Sequence, residues 1–213
     1  MLKVSSFCFN PFEENTFILS SENGDAIIID PGCYEAEEKK SLSDFIEKHK
    51  LNPVKLLNTH AHIDHILGNN YVAGRYNLGL EMHADDLDLL MSAPVYGQMW
   101  GINSEPSPTP SNLLKEGDVI KLGTSELNVL FTPGHSKGSI TFYCKKDRFA
   151  IVGDVLFNRS IGRTDLPGGD HAELIRSIKN KLLPLGDDVK IYCGHGPETT
   201  IGFEKKHNPF LQD

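Results

Sequence analysis

Cysteine is scarce in this chain and poorly placed for cross-linking. Four residues in 213, Cys8, Cys33, Cys144 and Cys193, stand far apart with no CxxC pair. That spacing argues against a disulfide framework and suits reduced thiols in a cytosolic protein. Long apolar runs are missing too. No stretch is long enough to cross a bilayer, and the N-terminal MLKVSSFCFNPFEENTF lacks the apolar run of an export signal, so the expected location is the cytoplasm. Basic charge is also in short supply: 21 Lys and Arg stand against 29 Asp and Glu, a formal net charge of -8. Without clustered Lys and Arg there is no footprint for phosphates, and neither nucleic acid nor a membrane is expected as a partner. The densest charged run, EAEEKK at 35–40, is mixed in sign and reads as the solvated start of a helix.

What is present supports a sizeable core. Hydrophobic residues make up 39% of the chain and charged residues 23%, and no linker divides it, so a single domain over residues 1–213 is expected. Apolar β segments at 15–20 and 25–30 flank the hairpin signal Asn23-Gly24. A helix is predicted over 36–50, with Leu42, Phe45 and Ile46 on one face, and a short buried strand over 54–57. Helices over 69–76 and 84–91 flank a strand at 79–82. Residues 92–112 are the least regular stretch, and their Tyr96, Met99 and Trp100 either wall a substrate pocket or plug the core. From Asp118 onward strands dominate, at 119–122, 127–132, 139–144 and 149–152. A helix over 171–183, a strand over 189–193 and a helix over 197–206 complete the chain. Each half supplies strands and then helices without strict alternation, which implies an α/β (α+β) fold: two sheets face to face with helices outside, αββα.

The chemistry gathers where strands end. His60-Ala61-His62-Ile63-Asp64-His65 follows the strand at 54–57, His135 follows 127–132, Asp154 follows 149–152, and His195 follows 189–193. Exits of this kind free side chains from packing and can converge at one edge of a sandwich. The donors are nitrogen and oxygen, suited to zinc, with iron or manganese as alternatives. Seven donors exceed one tetrahedral ion and suffice for two. His60, His62 and His135 are assigned to the first ion, and Asp64, His65 and His195 to the second. Asp154 is assigned to the bridge, because a carboxylate has two oxygens, and would hold the ions roughly 3.5 Å apart. His49, His83, His171 and His207 read as ordinary surface or core histidines.

THAHIDH, TPGHSKGS, GDVLF and CGHGP resemble, in order, the metal-binding motifs of metallo-β-lactamase-fold hydrolases, and the resemblance spans nearly the whole chain. NRSIGRTDLPGGD and GHGPETTIGFEKKHNPFL are similar to the short bacterial branch of glyoxalase II-like enzymes, the hydroxyacylglutathione hydrolases. That resemblance implies hydrolysis of an S-acylglutathione thioester, notably S-lactoylglutathione, in a four-layer sandwich. The C-terminal helical extension that grips glutathione in full-length members has no counterpart after NPFL. Arg163 is the candidate for holding a substrate carboxylate bidentately, the alternative being a structural ion pair with Asp165 or Asp170.

The chemistry expected is attack by a hydroxide bridging the two ions, with Asp64 and Asp154 as catalytic carboxylates and Asp64 both orienting the nucleophile and ligating. Two rival readings share these residues. One is a persulfide dioxygenase-like oxidoreductase with one iron on His60, His135 and Asp154, to which the segment Gly162-Arg163-Thr164-Asp165 is similar. The other is hydrolysis of lactones or other esters. A nuclease would want a basic exosite, and a purely structural metal site would be closed and four-coordinate.

Overall fold

Apolar side chains on both faces of the strands dictate the layering. In 17–19 and 27–29 every residue is hydrophobic, so each strand must be covered on both sides. The computed structural model describes residues 1–212. In its first sheet β1 (Lys3–Phe9), β2 (Glu14–Ser20) and β3 (Asp25–Ile29) form an antiparallel meander, and β4 (Asn52–Leu57), β5 (Leu80–His83) and β6 (Asn112–Leu114) extend it in parallel. The parallel steps are made through α1 (Ala36–Lys48), α2 (Asn69–Tyr76) and α3 (Leu87–Met99), as parallel neighbours require. In the second sheet β7 (Val119–Leu122), β8 (Ser125–Phe131), β9 (Ile140–Cys144) and β10 (Phe149–Gly153) run antiparallel. The chain then makes a small hairpin, β11 (Leu156–Phe157) with β12 (Ser160–Ile161), and the helix α4 (His171–Ser177). It returns as β13 (Lys190–Cys193), parallel to β10, and ends with β14 (Thr199–Thr200) and α5 (Ile201–His207).

The two sheets pack face to face with helices outside, the αββα order expected. Phe17, Leu19, Ile27 and Ile29 meet Leu127, Val129, Phe142 and Ile151 in the central layer. The alternate residues Ile18 and Ile28 turn outward onto Leu42 and Ile46 of α1 and Val72 of α2. On the far side Ala150, Val152 and Ile191 pack against Leu174 and Ile178. α1 is started by Glu38, whose Oε2 accepts from the backbone N–H groups of Tyr34 at 2.7 Å and Glu35 at 3.0 Å.

Three sequence expectations change. β1 was not anticipated; its KVSSFCF pattern is half polar because it is the edge strand, exposed along one side. The helix expected to end at Met91 continues to Met99 across Pro94. Proline lacks the N–H and disfavours a helix interior, but Leu90, Ala93 and Gly97 are buried here, and that packing overrides the local penalty. Gly97 is needed for the approach, since a Cβ there would sit 2.5 Å from Ile63 Cδ1. The last helix starts at Ile201 rather than Pro197, because Thr199–Thr200 pairs with β13 first and Thr200 Oγ1 then caps the helix by accepting from Phe203 N at 3.2 Å.

Candidate metal centre

β8, β10 and β13 point the same way in the second sheet, so the loops at their C-terminal ends share one edge. That edge meets the end of β4 in the first sheet. Beyond β4 the backbone tightens into a 3₁₀ turn at Ile63–His65, which folds Asp64 and His65 back over His60 and His62. The edge is stitched across the sheets by Asn15, whose N–H donates to Gly194 O at 2.7 Å and whose Nδ2 donates to Cys193 O at 3.0 Å.

All seven expected ligands come together there. The donor atoms of His60, His62 and His135 lie within 4.8 Å of one another, and so do those of Asp64, His65 and His195. Asp154 stands between the triads: Oδ1 is 3.3 Å from His65 Nε2, and Oδ2 is 3.5 Å from both His135 Nε2 and His195 Nε2. Asp64 Oδ2 is 3.0 Å from His195 Nε2 and 3.6 Å from His65 Nε2, while His62 Nδ1 is 2.7 Å from His135 Nε2.

The residues fit a cation. His60 Nε2, His65 Nε2 and Asp154 Oδ1 are buried with no hydrogen-bond partner, an arrangement that is costly unless something else satisfies them. The far ring nitrogens of His60, His65, His135 and His195 are occupied. His135 Nδ1 donates to Arg163 O at 2.8 Å and His195 Nδ1 to Phe12 O at 3.0 Å, which turns each Nε2 toward the site. His65 Nδ1 is 3.2 Å from Asp30 Oδ2, and His60 Nδ1 is 3.1 Å from Thr59 Oγ1.

Electrostatics sort these groups into two kinds. Burial, reinforced by neighbouring histidines, pushes His60 well below the ordinary histidine value and His62 down to about 3. Burial acts the same way on His65, but the Asp154 and Asp64 carboxylates outweigh it and hold this ring well above its usual value. His195 is raised for a similar reason, burial opposing and the Asp64 hydrogen bond prevailing. Burial works to raise Asp154 and Asp64, and the charge of His65 reverses it, leaving Asp154 well below the carboxylate range and Asp64 lowered. One triad is imidazole alone; the other is a mixed site of imidazole and carboxylate.

Residues 10–195 match the model of the Metallo-beta-lactamase superfamily. The chain belongs to that superfamily. Among its relatives the Hydroxyacylglutathione hydrolase GloC of Haemophilus influenzae is 39% identical over 94% of this chain and 93% of its own. The solved BLEG-1 B3 metallo-beta-lactamase is 35% identical with a TM-score of 0.91, covering 99% of this chain and 100% of that one. TTHA1623, solved in a di-iron-bound form, is 35% identical with a TM-score of 0.87 over 97% of this chain and 100% of that one. The superfamily fold is common ground; the names differ in activity, and one of them specifies a metal, iron.

Three supporting residues of this metallo-beta-lactamase superfamily chain escaped the sequence reading. Asp30 accepts from Thr59 N at 2.7 Å through Oδ1 and from Thr59 Oγ1 at 2.6 Å through Oδ2, besides facing His65. Its oxygens are committed to holding the ligand loop. Asp86 ties two ligand loops together, accepting from Ala61 N at 3.0 Å, Ser136 Oγ at 2.7 Å and Gly138 N at 2.6 Å. Glu14 is fully buried beside His65, and burial raises its carboxyl well above the usual range. An acid directly after a buried strand, as in Ile29-Asp30, was the available signal for Asp30; Asp86 and Glu14 gave none. The histidines set aside stay away from the site: His83 stacks on Phe131, His49 and His207 lie tilted against Phe45 and Phe203, and His171 opens α4.

The metal centre forms part of the wall of a cavity of about 560 Å³. Tyr96 and Trp100 line it, which decides for the pocket-wall reading, whereas Met99 is 78% exposed. Arg163 also lines it, but Nε and Nη2 each donate to Asp165 at 2.7 Å, so the fork is engaged by its neighbour.

Proposed function

We propose that this superfamily member is a thioesterase of the S-acylglutathione type, S-lactoylglutathione being the reference substrate, that works in the cytoplasm with two divalent cations, zinc first. The observation that carries this reading is the pairing of two ligand triads around Asp154 on the wall of one substrate-sized cavity. His60, His62 and His135 would hold one ion, Asp64, His65 and His195 the other, and Asp154 both. Such a pair supplies hydroxide at neutral pH and a Lewis acid for the developing oxyanion.

The chain's own groups do the positioning. Asp64 presents its carboxylate at the cavity wall, where it accepts a hydrogen bond from the attacking water and aligns it with the thioester carbonyl. Asp30, Thr59 and the Phe12 and Arg163 carbonyls fix the imidazoles so that none must reorient during the reaction. Phe157 and Ile161 exclude bulk water from the reacting carbon. The leaving thiol, with a pKa near about 8.5, departs as thiolate with little need of a proton donor. The GloC relative supports this reading, and four free thiols support a reducing compartment. No helix among the described residues is long and apolar enough to cross a membrane.

The test is metal analysis of the purified protein joined to turnover of S-lactoylglutathione. Two ions per chain are expected, with activity lost on chelation, restored by zinc, and reduced at least a hundredfold in Asp64→Ala. Faster cleavage of lactones, or oxygen uptake with glutathione persulfide in place of thioester cleavage, would refute it.

A further inference from the structure

We infer that the cavity over the metal centre is built for an uncharged, apolar acyl group, and that this chain's specificity lies in the acyl half of its substrate rather than in the thiol carrier. The inference rests on the thioester reading for its reaction, though not for its binding. Leu89, Ala93, Tyr96 and Trp100 follow one another at intervals of four, three and four along α3, so a single helix face forms one wall. Phe12, Leu166 and two residues of the β11–β12 hairpin, Phe157 and Ile161, line the rest of its apolar surface. The Phe12 and Trp100 rings meet edge to face, with centroids 6.5 Å apart.

Positive charge is lacking where a charged carrier would need it. Apart from the ligand histidines, Arg163 is the one cationic side chain among the described residues lining the cavity, and Asp165 already takes its Nε and Nη2. A glutathionyl group brings two carboxylates and an ammonium. Burying these against Phe, Leu and Trp without partners is unfavourable, whereas each methylene of an acyl chain placed there gains roughly fourfold in binding. The carrier is therefore left outside, toward solvent, and the chain lies along α3.

The test uses metal-loaded protein with N-acetylcysteamine thioesters of acetate through octanoate, alongside S-lactoylglutathione. kcat/KM is expected to rise about fourfold per methylene over several steps. Leu89→Asp should flatten that slope. Asp165→Ala, which frees Arg163, should raise the glutathione thioester several-fold relative to its cysteamine counterpart. Binding is read separately: Trp100 is the chain's one tryptophan, so its fluorescence should change on adding hydrolysis-resistant amides of the same acids, with affinity climbing by chain length. A flat series in which the glutathione carrier is required, together with no chain-length dependence of the fluorescence, overturns the inference and leaves the thioesterase. Chain-length-dependent fluorescence without cleavage of any thioester does the reverse.

Discussion

Replacing Asp30 by asparagine changes one atom and should disable half of the metal centre. Asp30 sits at φ +50°, a left-handed conformation that asparagine tolerates, so the backbone is preserved. Two demands then compete for one amide oxygen. Thr59 N needs an acceptor at the Oδ1 position, 2.7 Å away, so the NH2 group takes the place of Oδ2. There it faces His65 Nδ1, formerly 3.2 Å from a carboxylate oxygen. Imidazole can accept that hydrogen bond only by moving its proton to Nε2, which points into the second triad where a lone pair is required. Loss of such a partner costs about 10- to 100-fold in metal affinity, or about 1.4–2.7 kcal/mol. The opposite amide orientation orphans Thr59 N instead and costs about 1–3 kcal/mol of fold stability. Equilibrium dialysis against graded free zinc, with metal counted per chain, reads the first effect, and thermal unfolding of the metal-free protein reads the second. The expected variant stays folded, keeps one ion tightly and binds the other weakly. Wild-type affinity for both ions, with unchanged melting, would refute the reasoning.

Metal uptake should release protons. His65 and His195 are raised in the metal-free fold, so their charge stabilises it fully below the unfolded value of about 6.5 and this contribution fades as pH climbs through the folded values. Cation affinity therefore increases with pH across that interval, and calorimetry at pH 7 should give heats that vary with buffer ionisation enthalpy; identical heats in two such buffers would contradict it. Gly194→Ala should abolish binding at the second triad, because its Cβ would lie 2.1 Å from Asp154 Oδ1 and 2.7 Å from His65 Cε1; retention of two ions by elemental analysis would count against the geometry. Phe142→Ala, a deletion between the sheets where the ring is fully buried, should cost about 3–5 kcal/mol in denaturant titration without altering metal stoichiometry.

The gathering of the candidate ligands and the layering were legible in the sequence because they rest on short-range signals. THAHIDH crowds four polar donors behind a buried strand, and Ile27, Ile28 and Ile29 leave no face for water. What escaped notice depends on partners far along the chain. Asp86 looks like any acid in an ADD turn until the 134–138 loop is brought against it, and Glu14 looks like a surface residue until β2 is covered by the second sheet. The continuation of α3 across Pro94 has a similar basis, since Gly97 lies close against Ile63 and Ile102. Arg163 shows the converse: a residue type well suited to carboxylates was satisfied by one two positions away.

The chain finishes its first sheet at Leu114 before beginning the second at Val119. His60, His62, Asp64 and His65 therefore belong to the earlier-made half, and His135, Asp154 and His195 to the later one. Neither half owns a complete cage. Ions seated across the seam would act as rivets between successive lengths of polypeptide, and could be held in full only once synthesis has passed His195.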